Sequence, residues 1–154
     1  MKIEFLSKKQ KKEIKKMLLE NYGIRIDMVY NLIKTGKNKI RFFTGEISEK
    51  ELRMLNSLIK IESIGIPFLN LEKGPRLAFD AATLFGKMAT KNFLELNKEQ
   101  ALRWMRGESI ESEEEKERFL IIKYKGYTLG TGKIYKKKLL NFVPKERRTD
   151  LIDS

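Results

Sequence analysis

The chain of 154 residues contains neither cysteine nor histidine. Without cysteine there is no disulfide, no thiolate metal site and no thiol nucleophile. Without histidine, His-ligated zinc, His-based triads and the commonest general base are excluded too. Metal hydrolysis through carboxylates alone would need a clustered acidic site, and the excess charge has the opposite sign. No apolar run approaches the roughly 20 residues that span a bilayer. The opening Met1-Lys2-Ile3-Glu4-Phe5-Leu6-Ser7 is too short and too charged for a secretory signal. A cytoplasmic protein with no membrane partner is expected.

What is present points to a packed and basic molecule. Hydrophobic residues make up 41% and aromatic residues 10% of the chain, too much of both for a disordered polymer. The length fits one ordinary domain or two small ones. Lys and Arg number 33 against 21 Asp and Glu, a net charge of +12. Such an excess favours a polyanionic partner, of which nucleic acid is the commonest.

Three segments open with the same device: Ser7-Lys8-Lys9-Gln10, Ser48-Glu49-Lys50-Glu51 and Asn97-Lys98-Glu99-Gln100. Each sets a side-chain acceptor three residues before Glu or Gln, the signature of a capping box. Apolar residues follow at helical spacing: Ile14, Met17 and Leu18; Leu52, Leu55 and Ile59; Ala101, Leu102 and Met105. Helix ends are expected at Tyr22-Gly23 and at Gly107. A fourth helix is expected from Asp80, carrying Ala81, Leu84 and Phe85 before Gly86.

Strand signals lie between. Lys39 to Thr44 is β-branched and aromatic, bounded by Gly36 and Gly45. Residues 28 to 34 read as a strand turning through Gly36 and Asn38, with a short helix as the alternative. Ile64, Ile66, Phe68 and Leu71 lead to a turn at Gly74-Pro75 and then to Arg76-Leu77-Ala78-Phe79. Phe93 to Leu96 is short and strand-like. Phe119 to Tyr124 and Tyr127 to Tyr135 read as partner strands, the second with glycines that leave room for close backbone approach. Pro144 closes the following segment, and a basic tail runs to Asp153-Ser154.

Positive charge concentrates twice. Lys8, Lys9, Lys11, Lys12, Lys15 and Lys16 crowd the first helix, and a solvated lysine face accounts for them. From residue 123 to 148, nine cations face the single carboxylate of Glu146, a net charge of +8 and two-thirds of the whole excess. The nine are Lys123, Lys125, Lys133, Lys136, Lys137, Lys138, Lys145, Arg147 and Arg148. Tyr124, Tyr127, Tyr135 and Phe142 are interleaved with them. Unpaired nucleic acid uses this combination, cations neutralising phosphates while rings stack on bases. Alternation along a strand divides the apolar side chains between two faces, with Phe119, Ile121 and Lys123 on one and Leu120, Ile122 and Tyr124 on the other.

Other motifs resolve to structure. The acidic run from Glu108 to Glu117 lacks the spaced Asp and central glycine of a calcium loop, so it reads as an exposed loop that would keep RNA away from that end. Gly130-Thr131-Gly132 lacks the third glycine and the following helix of a nucleotide loop. Trp104 reads as core, with Arg103 and Arg106 reaching solvent.

The order of five motifs carries a resemblance. They are Gly74-Pro75-Arg76-Leu77-Ala78-Phe79-Asp80; Leu84-Phe85-Gly86; Asn97 through Trp104 to Gly107-Glu108; Lys123-Tyr124-Lys125-Gly126 through Leu129 to Gly132; and Asn141-Phe142-Val143-Pro144-Lys145-Glu146-Arg147-Arg148. Together, over residues 65 to 150, they resemble the PUA-like RNA-binding domain of Sun/Fmu-type RNA cytosine-5 methyltransferases and its stand-alone archaeal relatives linked to ribosome biogenesis. The resemblance implies an α+β protein, with a small N-terminal α/β pre-PUA domain over residues 1–70. A PUA-like β pseudo-barrel with short helices would follow over 71–154. It also implies an RNA groove bordered by Gly86-Lys87-Met88 and the Gly126-to-Gly132 strand, which adds Lys87 to the binding residues.

Those methyltransferases use cysteine nucleophiles and an S-adenosylmethionine-binding domain, and this chain has neither, nor room for one. The expectation is therefore a non-catalytic RNA-binding protein, with no cofactor and no metal, in rRNA or tRNA modification or ribosome biogenesis. The alternative is an adaptor or RNA-delivery subunit for a separate RNA-modifying enzyme or assembly factor.

Overall fold

The computed structural model describes residues 3–26, 31–43, 48–58 and 65–149. Strand β1 (Ile3–Phe5) leads into helix α1 (Lys8–Tyr22), which begins as its spacing predicts. Gln10 N–H donates to the Ser7 hydroxyl at 3.2 Å and Ser7 N–H donates to Gln10 Oε1 at 2.8 Å, closing the capping box. Gly23 ends the helix at a φ of 68°, the left-handed turn that only glycine makes without a Cβ penalty. Ile14, Leu18 and Tyr22 form the buried stripe.

Strands β2 (Asn31–Thr35) and β3 (Lys39–Phe43) form the expected hairpin through Gly36 and Asn38. Helix α2 (Glu49–Leu58) follows, with Glu51 N–H donating to the Ser48 hydroxyl at 3.1 Å. Next come β4 (Ile66–Asn70) and β5 (Arg76–Leu77). These strands form one antiparallel sheet in chain order, β1-β2-β3-β4-β5. Alternation divides its side chains between two covers. Leu32, Ile40, Phe42 and Phe68 pack with the α1 stripe, while Ile33 and Ile3 pack with Leu52 of α2.

Helix α3 (Phe79–Phe85) and a 3-10 turn (Gly86–Met88) then lead to β6 (Phe93–Glu95) and α4 (Lys98–Met105). Strands β7 (Ile110–Glu111), β8 (Arg118–Tyr124), β9 (Tyr127–Tyr135) and β10 (Lys138–Asn141) complete a second sheet. Its order is β6-β8-β9-β10-β7, with β6 and β8 parallel and the other pairs antiparallel. The protein is thus α+β, an antiparallel sheet with helices followed by a half-barrel sheet with short helices. Among the described residues no helix is long and apolar enough to cross a membrane.

Several expectations need correction. α3 starts at Phe79 and buries Ala81, Ala82 and Phe85, whereas Leu84 is 54% exposed. Two alanines face inward because α3 is wedged between both sheets, where a larger side chain would force them apart. Leu55 of α2 is also exposed. The acidic run contains β7, which pairs with β10, so it is not wholly a loop. β1 and β10 lie where no strand was expected. Thr44, Ile59, Ile64, residues 28–30 and the Asp153-Ser154 end lie outside the described residues.

Strand β8 belongs to both cores. Ile121 packs in the first cluster with Tyr22, Phe68 and Phe85, while Leu120 and Ile122 pack in the second with Trp104, Ile134 and Leu139. Polar links reinforce the seam. Thr131 Oγ1 donates to the Leu77 carbonyl at 3.1 Å, and Thr90 N–H donates to the Tyr22 carbonyl at 2.8 Å. Arg118 grips Glu114 with two bonds of 2.8 and 2.9 Å and donates to Asn92 Oδ1 at 2.7 Å. This guanidinium holds the half-exposed Glu114 carboxyl below its ordinary range, chiefly through its hydrogen bonds.

Tyr22 supplies a pH-dependent link in the same seam. Its hydroxyl donates to the Pro75 carbonyl, and burial pushes the phenol well above its ordinary value while nearby Arg76 pulls it weakly down. The folded chain therefore keeps a proton that an unfolded chain releases near pH 10. Stability from this group is complete below about pH 10 and drains away as the pH climbs above it. Tyr22→Phe should cost about 1 kcal/mol at neutral pH. It should also flatten the alkaline loss of stability, as read by urea midpoints across that range.

Candidate nucleic-acid interface

The cation-rich segment folds into two hairpins joined through β9. Its residues consequently do not share one surface. Eight steps of β9 separate Tyr127 from Tyr135, roughly 26 Å of extended chain. The β8–β9 turn lies at one end and the β9–β10 turn at the other.

The β8–β9 end gathers Lys87, Lys123, Tyr124, Lys125 and Tyr127. Lys123 is held in place, its ammonium donating to the Ala89 carbonyl at 3.3 Å and lying 4.4 Å from the Phe93 ring centroid. The Lys87 turn reaches this end because Gly86 packs against Thr128, where a Cβ would come within 2.9 Å of its methyl carbon. Lys125 stands in the turn with a φ of 44°, its ammonium 5.6 Å from the Tyr124 ring. Tyr124 is half-buried against the second core, whereas Tyr127 is 70% exposed. Of the two tyrosines at this end, Tyr127 is the one that offers an open face. Among the described residues, neither Lys87 nor Lys125 has a carboxylate partner.

The β9–β10 end is different. Lys136 and Lys137 form the turn with φ values of 48° and 61°, and Lys138 opens β10. The acidic run arrives opposite them, because β7 pairs with β10 and Lys138 stands across from Glu111. Glu115 pairs with Lys137 at 3.3 Å and Glu117 with Lys133 at 3.6 Å. Lys136 lies 5.2 Å from the Tyr135 ring.

The last cations lie elsewhere again. Lys145 is exposed in a 3-10 turn (Lys145–Arg147). Arg147 reaches back to Asp80 at 3.0 Å and stacks 5.5 Å from the Phe79 ring. Arg148 donates to the Val143 carbonyl at 3.2 Å and crowds the space beside Gly107. These two arginines secure the tail against α3 and the end of α4.

In the sequence Phe93 shows only as part of a short strand. Its place beneath Lys123 follows from the parallel pairing of β6 with β8, a non-local contact that leaves no local signal. Trp104 is fully buried as expected, and Arg103 and Arg106 reach solvent, where both pair with Glu108. Among the described residues no group of three or more acidic side chains is placed to hold a metal ion.

The half-barrel, with short helices set between its strands and a basic hairpin at one end, is the part of the chain on which a family match falls. Residues 91–149 match the model of the methyltransferase RsmF PUA domain. Over 90 residues the chain is 32% identical to ribosomal RNA small subunit methyltransferase F of Aeromonas salmonicida (strain A449). The alignment covers 57% of this chain but only 19% of that enzyme. Residues 91–149 thus match a PUA domain of the RsmF type, with distant homology to that methyltransferase.

Proposed function

We propose that the chain is a non-catalytic RNA-binding protein of the cytoplasm, acting in rRNA or tRNA modification or ribosome biogenesis. Residues 1–70 serve as a supporting domain and 71–154 as the RNA-binding one. The observation that carries this reading is the β8–β9 end. There Lys123 and Lys125 stand in the hairpin that exposes Tyr127, and the turn carrying Lys87 packs against its strand through Gly86 and Thr128, beside residues that match the PUA domain of an rRNA methyltransferase. Cations without carboxylate partners release counterions on meeting phosphate, and an open ring can stack on an unpaired base. Lys136, Lys138 and Lys145 extend the field that draws RNA in, while Lys137 and Lys133 must first part from their glutamates.

One feature favours delivery to a separate enzyme as a second reading. Leu84, Met88 and Leu94 are exposed on α3, on the turn that carries Lys87 and on the strand paired with β8, apolar side chains suited to a protein partner.

The test is RNA binding as a function of salt. A variant combining Lys87→Gln, Lys125→Gln and Tyr127→Ala should bind RNA at least tenfold more weakly. The slope of log affinity against log salt should flatten by roughly 1.4, for two lost phosphate contacts. Replacing Lys136, Lys137 and Lys138 by Gln should weaken binding less. Unchanged affinity and slope in both variants would place the RNA elsewhere.

A further inference from the structure

Where the two sheets meet there is a basic cavity that composition alone does not reveal. Its volume is about 230 Å³, and its walls include Asn70, Lys73, Arg76, Phe119, Lys133 and Phe142. Strands β4 and β5 supply one side, and β8, β9 and the segment after β10 supply the other. Two further depressions border it, one sharing Asn70 and Arg76 and lined by Lys39 and Arg41, the other sharing Asn70 and Glu72 and lined by Lys37. Lys37, Lys39, Arg41, Lys73, Arg76 and Lys133 thus line three neighbouring depressions that share wall residues, with Glu72 as the acidic side chain among the lining residues.

The cavity is built rather than incidental. The Arg76 guanidinium lies 4.6 Å from the Phe142 ring centroid, and the Phe142 and Phe119 rings are 6.3 Å apart at 49°. The Lys133 ammonium lies 5.7 Å from the Phe119 ring and 5.5 Å from that of Tyr135. Among the described residues no carboxylate pairs with Arg76. Lys133 has only 15% of its side chain exposed, so its charge is partly desolvated, and its partner Glu117 is largely in water at 3.6 Å. A pair of that kind is weak and can be exchanged for a phosphate. Asn70 Oδ1 accepts the Glu72 N–H at 2.9 Å, which fixes the orientation of the amide at the pocket wall.

We infer that this junction seats one nucleotide of a single-stranded RNA segment, with its phosphate between Arg76 and Lys133 and its base against the Phe119–Phe142 pair. The inference rests on the RNA-binding reading and extends it to a site at Lys133, farther along β9 from the exposed Tyr127 hairpin. The chemistry selects a nucleotide over a bare anion, because cations and rings share the cavity while Asn70 and Glu72 can meet the polar edge of a base. It also selects an unpaired strand. A cavity of this size admits one base, and a duplex keeps its bases paired and out of reach of such rings.

The test compares a short labelled RNA of mixed, non-self-complementary sequence with the same RNA annealed to its complement. Arg76→Gln should weaken single-strand binding about tenfold and flatten its salt slope by roughly 0.7 for the lost phosphate contact, and Lys73→Glu, which sets a carboxylate in the cavity wall, should weaken it about tenfold as well. Phe142→Leu should weaken the single strand by about tenfold and leave the duplex unaffected. Lys73 is exposed, so its variant tests the site even where the Arg76 or Phe142 variant disturbs packing.

If the wild-type chain binds RNA and both the Arg76 and Lys73 variants bind it equally well, the junction site is wrong and the RNA-binding reading survives. Equal competition by polyglutamate and by single-stranded RNA would also overturn the site, since it would then be a general anion surface. If the wild-type chain binds neither RNA at low salt, the RNA-binding reading itself fails and the junction site falls with it.

Discussion

Trp104→Ala should shift the urea unfolding midpoint further than any other single truncation in the second core. The indole is fully buried among Leu96, Leu120, Ile122 and Leu139, and its N–H donates to the Leu129 carbonyl at 2.8 Å. Removing a ring of this size costs roughly 3–5 kcal/mol in lost contacts and cavity. The stranded Leu129 carbonyl adds about 1–3 kcal/mol unless water reaches it. Against a total stability of about 5–15 kcal/mol, that leaves the variant marginal or unfolded. The measurement must use far-UV circular dichroism, because Trp104 is the only tryptophan in the chain and its fluorescence disappears with it. Trp104→Phe keeps most of the volume and loses the donor, so its midpoint should fall between the two. A midpoint unmoved by Trp104→Ala would mean that the second core is organised about something else.

Gly132→Val should be the second severe change, for the opposite reason. A Cβ at position 132 would stand 2.6 Å from the Leu140 carbonyl oxygen and 2.6 Å from Cη2 of Trp104. Gly132 pairs with Leu120 on one side and Asn141 on the other, so it sits inside three hydrogen-bonded strands. A backbone oxygen held in that ladder has nowhere to move. Overpacking of this kind costs about 1–3 kcal/mol, and more where the obstacle is main chain. Even alanine should be destabilising, and combining it with Trp104→Phe should not rescue it, because the clash with Leu140 remains. Gly126→Ala makes a useful contrast. Nothing lies within 4 Å of its Cβ position, so its φ of 81° leaves only backbone strain of roughly 1–2 kcal/mol. Equal losses at both positions would show that strain, and not the clash, governs the strand.

Features decided within a few residues of chain were legible in advance. The capping boxes at Ser7 and Asn97 formed with the partners their spacing specified, because a cap needs only four consecutive residues. The β2–β3 and β8–β9 hairpins followed from turn glycines between β-rich runs. Strands β1 and β7 escaped notice because three and two residues are too few to show a period. The choice of Ala82 over Leu84 as the buried side chain of α3 depends on a helix having neighbours on two sides, which spacing does not encode.

The binding residues follow the same division. Their charge and aromatic content were plain from composition. Their separation was not, because a long strand carries the two turns apart and cross-strand pairing then brings Glu115 and Glu117 to Lys137 and Lys133. Arg76, Lys73 and Lys39 come from segments far from residues 123–148, and only the meeting of the sheets assembles them.

Because Ile121 on one face of β8 and Leu120 and Ile122 on the other lock both layers to a common wall, the depression between those layers has little freedom to close or widen. A ligand entering it would meet a mould already set. The entropic toll of shaping the receptor falls mainly on the incoming chain, so discrimination there rests on fit rather than on adaptation.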